Sequence, residues 1–201
     1  MKRWMIGWLV VMVLMFSLAC KAISGGGSTT SSGNFQIKVD NQSPDEICYV
    51  FISASESEEW GDDQLGGDET IAAGDSKVFE MTPGQYDVQL ETCDEAVMGT
   101  SWQIDGATTI TVGSREAAVR LWVDNTSDTE LCYIFISPSS GDDWGDDWMG
   151  GKESIAAGRR RVFYVEPGTY DMMAQNCDNE SLAEQYEVDL TSDTTWTLSN
   201  E

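Results

Sequence analysis

Ile47-Cys48-Tyr49-Val50-Phe51-Ile52-Ser53 runs into an acidic loop carrying Trp60-Gly61-Asp62-Asp63, and the whole arrangement occurs twice. Leu131-Cys132-Tyr133-Ile134-Phe135-Ile136-Ser137 leads to Trp144-Gly145-Asp146-Asp147, so the two cysteines stand 84 positions apart (132 − 48). The offset persists without a gap. Val39-Asp40-Asn41 matches Val123-Asp124-Asn125, and Ile71-Ala72-Ala73-Gly74 matches Ile155-Ala156-Ala157-Gly158. Pro83-Gly84, Tyr86-Asp87 and Cys93-Asp94 match Pro167-Gly168, Tyr170-Asp171 and Cys177-Asp178. Self-similarity at a fixed offset marks a duplicated structural unit. Each copy is long enough for its own core, so two tandem domains are expected, over 35–114 and 119–199, rather than a solenoid.

Within a copy the hydrophobic period is two. Phe35, Ile37 and Val39 alternate with polar residues, which predicts a half-buried strand. Ile47 to Ile52 is apolar on both parities and predicts a central strand covered on both faces. Ser76 to Met81, the alternating Tyr86, Val88 and Leu90, Thr100 to Ile104, and Thr108 to Val112 supply further strands, with turns at Ala72-Ala73-Gly74-Asp75, Pro83-Gly84 and Asp105-Gly106. No window carries a helical period. Six or seven short strands at this spacing predict an all-β chain of two small β-sandwich domains.

The Gly-x-Tyr-Asp strand that follows Pro-Gly resembles a feature of prealbumin-like and other Ig-like secreted modules. The copy as a whole, with its cysteine strand, Trp-Gly-Asp-Asp loop and Pro-Gly-x-Tyr-Asp strand, resembles repeats found in uncharacterised bacterial envelope proteins. The resemblance implies an architecture and a location, and no activity.

The N-terminus agrees with such a location. Lys2 and Arg3 precede an apolar run from Trp4 to Ala19. The run is shorter than the roughly 20 residues that span a bilayer, and it reads as an export signal over 1–19. Ser17-Leu18-Ala19-Cys20 resembles a bacterial lipobox, with Ser17 where an aliphatic residue is usual. That resemblance implies cleavage before Cys20 and a diacylglyceryl thioether on its sulfur. Small residues at Ser17 and Ala19 also suit ordinary signal peptidase, but cysteine parity favours lipidation: four of the five cysteines fall in the repeats and Cys20 is left over. Residues 20–34, rich in Gly, Ser and Thr, read as a flexible tether between lipid and folded part.

An exported chain meets an oxidising compartment, so the repeat cysteines are expected to pair. Four cysteines allow three connectivities, and the duplication selects Cys48 with Cys93 and Cys132 with Cys177. Metal ligation by these thiols is disfavoured, because there is no Cys-x-x-Cys spacing and no histidine in the chain.

Charge and composition narrow the functional classes. The net charge is −24, which repels phosphate backbones and makes nucleic acid an improbable partner. The absence of histidine removes the commonest general base and any histidine-containing triad, and no nucleophile motif is present, so a non-enzyme is expected. The acids crowd two loops. Asp62 and Asp63 lie among Glu56, Glu58, Glu59, Asp68 and Glu69; Asp142, Asp143, Asp146 and Asp147 precede Glu153. Glycine-spaced carboxylates suit Ca²⁺, although no EF-hand spacing is present, and the alternative is a solvated loop capped by its own aspartates. Trp60, Trp144 and Trp148 are the candidate ligand-binding aromatics, with Trp144 and Trp148 flanking Gly145-Asp146-Asp147; for the recurring Trp60 and Trp144, packing over the sandwich is the favoured reading. Trp148 stands where the first copy has Gln64 and is the better exposed candidate for a platform that takes a glycan or protein. Arg159-Arg160-Arg161 falls at a turn and could meet phosphate headgroups, an acidic partner or the other copy. The expectation is a lipid-anchored, non-catalytic binding or structural display module of the cell envelope. The alternative is a Ca²⁺-dependent or tryptophan-platform binder of an envelope glycan or protein.

Overall fold

The computed structural model describes residues 33–114 and 119–200; the expected export signal, Cys20 and most of the expected tether lie outside the described residues. The described chain is all-β. The first copy forms β1 (Phe35–Asn41), β2 (Ile47–Ala54), β3 (Ser76–Met81), β4 (Tyr86–Thr92), β5 (Val97–Ile104) and β6 (Thr108–Val112). The second repeats the series as β7 (Val119–Asn125), β8 (Leu131–Pro138), β9 (Arg160–Val165), β10 (Gly168–Asn176), β11 (Ser181–Leu190) and β12 (Thr194–Leu198).

Alternation decides which side chains meet. β1 buries Phe35, Ile37 and Val39 against Phe79 of β3 and Val112 of β6 in one sheet, ordered β3-β1-β6. Val50, Val88, Leu90 and Met98 face them from β2, β4 and β5, giving a sandwich-like core. The second copy builds its core in the same way, around Leu121, Val123, Ile134, Met172 and Leu190. The first strand of each copy runs parallel to the last and antiparallel to the third.

Two expectations need correction. β2 is not a central strand: it closes one end of the six-stranded order β12-β7-β9-β5-β4-β2. Its free edge is sealed by the acidic loop. Ile47 and Ile71 exchange N–H···O bonds of 3.0 and 2.9 Å, Gln64 N donates to Val50 O at 2.8 Å, and Val50 N donates to Asp63 Oδ1 at 2.9 Å. A loop thus does what a neighbouring strand was expected to do, and it removes an edge open to aggregation. The uniform offset also ends before the last strand. Ile37 pairs with Thr108 and its equivalent Leu121 with Thr194, an offset of 86 (194 − 108), because β11 has 10 residues where β5 has 8.

The copies are joined directly. Val97 of β5 bridges Arg161 of β9 in parallel, which makes one sheet continuous across both. Val162 is buried within the first copy's core, with Trp122 and Tyr164 beside it. Arg120 Nε donates to both Asp45 oxygens at 2.9 Å, and Tyr164 donates to Asp45 Oδ2 at 3.0 Å. Burial pushes the Tyr164 phenol above its ordinary range, so it stays a donor. At the equivalent positions the first copy has Gln36, Lys38, Val78 and Glu80.

Candidate ligand-binding groove

The sequence-matched aspartates divide into those that build the loops and those that face solvent. Asp63 Oδ1 accepts from Val50 N at 2.9 Å and Leu65 N at 3.0 Å; Asp147 Oδ1 accepts from Ile134 N and Met149 N, both at 3.0 Å. The last residue of each Trp-Gly-Asp-Asp motif therefore ties its loop to a strand. Gly61 and Gly145 precede it with φ of 75° and 65°, a conformation that side chains disfavour. Asp62, Asp142, Asp143 and Asp146 are exposed. Among the described residues, the groupings of three ligand atoms within 4.8 Å are Glu46, Cys48, Cys93 and Glu130, Cys132, Cys177. Their sulfurs are spent in the Cys48–Cys93 and Cys132–Cys177 disulfides, the pairing expected from the duplication.

Replacing Asp63 by alanine strands two backbone N–H groups and is expected to cost about 1–3 kcal/mol by urea unfolding. Asp63→Asn keeps the accepting oxygen and should lose far less. Equal losses for both would show that the hydrogen bonds contribute nothing.

The same anchoring places an aromatic surface. With Val50 turned inward, Tyr49 and Phe51 stand on the outer face of β2, their rings stacked at 6.2 Å and 6°. Trp60 arrives from the loop, held by the Ser53 hydroxyl on its carbonyl, and leans on Trp102 of β5 at 5.6 Å. β4 adds Gln89 and Glu91 from the neighbouring strand. Tyr49, Phe51, Trp60 and these two, with Glu95 and Arg159, line a groove of about 310 Å³.

Its polar end lies at the junction of the copies. Glu91 is buried, accepts from Gln89 Nε2 at 2.7 Å, and pairs with Arg159 Nη2 of the second copy at 3.2 Å. Burial raises the Glu91 carboxyl above its usual range, while Arg159 and Gln89 pull it back. The second copy presents Tyr133, Phe135 and Trp144 at the matching positions, but Met173, Gln175 and Asn179 replace Gln89, Glu91 and Glu95. Only the first copy therefore combines the aromatic surface with buried charge.

The other flagged residues have distinct places. Trp144 leans on Tyr186 at 5.7 Å. Trp148 is 40% exposed and meets Phe163 edge-on at 6.3 Å. The three arginines separate: Arg159 enters the groove, Arg160 pairs with Asp124 at 2.9 Å over the Trp122 ring, and Arg161 is buried against Glu153 at 2.9 Å. Tyr49, Phe51, Gln89 and Glu91 were not singled out from sequence. Their signal is the second parity of an apolar strand and two polar residues on a strand otherwise half-buried.

No protein-family model matches the chain, and no curated protein sequence matches it. Among solved structures, the Bacillus anthracis TIE protein is similar over 84% of this chain, at 9% identity and a TM-score of 0.28. The match spans 34% of that protein's length.

Proposed function

We propose that the protein is a lipid-anchored extracytoplasmic module that binds without catalysis, and that the Tyr49–Phe51–Trp60 groove is a carbohydrate-binding surface. The observation that carries this reading is the parallel, stacked Tyr49–Phe51 pair beside the Glu91–Arg159 ion pair. A sugar ring has an apolar C–H face and a rim of hydroxyls. The parallel rings line the groove with apolar aromatic surface, and Gln89, Glu91 and Arg159 offer acceptors and donors beside it. The groove's size falls at the small end of ligand sites, which suits one or two sugar units. Two disulfides support life in an oxidising compartment, and the lipobox-like Cys20 supports attachment to a membrane there.

Calorimetric titration with oligosaccharides of β-linked glucose and of N-acetylglucosamine tests the reading. Trp60→Ala and Tyr49→Ala are each expected to weaken binding about tenfold, equivalent to about 1.4 kcal/mol. Trp148→Ala should leave it unchanged. Loss on Trp148→Ala alone would move the platform to the second copy's loop, and no heat with any glycan would end the carbohydrate reading.

A further inference from the structure

The contact between the copies is one-sided, and each of its halves recurs at an end of the molecule. One half is the outward face of β7 and β9, with Arg120, Trp122, Val162 and Tyr164. The other is a seat on the first copy, made by β5 and the turn at Ser43–Asp45. The first copy carries the equivalent face on β1 and β3. There Val78 is 47% exposed, whereas its counterpart Val162 is 1% exposed.

The second copy carries the equivalent seat. Ser127, Thr129, Ser181, Leu182, Trp196 and Leu198 line an open groove of about 730 Å³ along β11 and β12. Leu182 is 41% exposed there, whereas its counterpart Met98 lies 5% exposed under the second copy. Among the described residues, an unfilled seat and an unseated face of the same kind therefore lie on one chain.

We propose that the β11–β12 groove receives the β1–β3 face of a second copy of this chain, so that molecules join head to tail through the contact they already make internally. The polar residues change in concert. Arg120 and Arg159, which meet Asp45 and Glu91 inside the molecule, become Gln36 and Asp75 on the outer face. Asp45 and Glu91 become Thr129 and Gln175 on the outer seat. Asp75 and Glu80 therefore meet an amide and hydroxyls instead of carboxylates. In a chain of net charge −24, carboxylates kept in both places would repel. Val78 takes the central apolar position against Leu182. The register that sets Arg161 against Val97 sets Lys77 against Ser181, which extends the sheet through β11. The two halves differ, so the association is heterologous and propagates instead of closing as a two-fold dimer.

Sedimentation velocity on the full chain in a non-ionic detergent tests this, with the double variant Val78→Asp/Leu182→Asp as baseline. The wild type should show at least twice the baseline weight-average mass, rising with concentration. Val78→Asp and Leu182→Asp alone should each fall to baseline. Mixed in equal amounts they should restore dimers and nothing larger, because one retains the groove and the other the opposing face. Both positions are exposed, and unchanged near-ultraviolet circular dichroism checks folding. Wild type at baseline at every concentration, either single variant assembling like wild type, or a mixture that stays monomeric would each overturn the proposal.

Discussion

Removing one disulfide, by Cys48→Ala with Cys93→Ala or by Cys132→Ala with Cys177→Ala, should lower the unfolding free energy of its copy by about 4 kcal/mol. Each bridge joins residues 45 apart, so the reduced, unfolded chain regains the freedom of a long loop. In the native state each bridge ties an edge strand to the turn after its neighbour: Cys48 lies in β2, and Cys93 follows β4. The effect is large against the 5–15 kcal/mol typical of a folded domain. Urea unfolding with and without reductant measures it. A loss in the first copy should also loosen the junction between the copies, because Glu91 and Val97 flank Cys93. Unchanged unfolding midpoints in reductant would show that the bridges do not hold the fold.

Glu153→Ala should destabilise by about 3–5 kcal/mol, because it leaves a buried guanidinium without its counter-charge. Arg161 and Glu153 side chains are only 8% and 5% exposed, and they meet at 2.9 Å. Glu153 also accepts from Gly150 N at 2.9 Å, so the pair anchors the loop before β9. Arg161 Nε has no acceptor among the described residues, and its guanidinium lies 5.0 Å from the Phe163 ring centroid. The first copy supplies a control. Its equivalent pair, Lys77 with Glu69, is 26% and 56% exposed, and Glu69→Ala should cost no more than about 1 kcal/mol. Replacing Arg161 and Glu153 together by leucine should cost less than Glu153→Ala alone, since no charge is then stranded. Equal small losses at Glu153 and Glu69 would contradict this account.

The strand periods, the all-β class and both disulfide pairings were legible because they rest on local alternation and on comparing two copies. What was not legible depends on partners far along the chain. The matched Asn41 and Asn125 carry no local sign of what they hold. Each is a buried amide, and it donates to Ile71 O at 2.9 Å and Ile155 O at 2.8 Å, 30 positions away. Asp87 and Asp171, the acids of the Tyr-Asp motif, accept from Gln103 N and Glu187 N, which stand at φ of 56° and 54° in irregular stretches of β5 and β11. β2 read as a central strand because periodicity cannot say whether its edge is closed by a strand or by a loop, and its second apolar parity, Tyr49 and Phe51, lines a groove where a covered face was expected. The junction had a signal of another kind. Gln36, Lys38 and Glu80 become Arg120, Trp122 and Tyr164, and positions where one copy turns large and aromatic mark where it is covered.

The parallel alignment of each copy's opening and closing strands carries a mechanical consequence. Tension applied between the start of β1 and the end of β6 pulls two neighbouring strands in opposite directions along their length. All five pairs from Ile37–Thr108 to Asn41–Val112 then bear the load together and must rupture in shear, whereas antiparallel neighbours pulled at one end would unzip bond by bond.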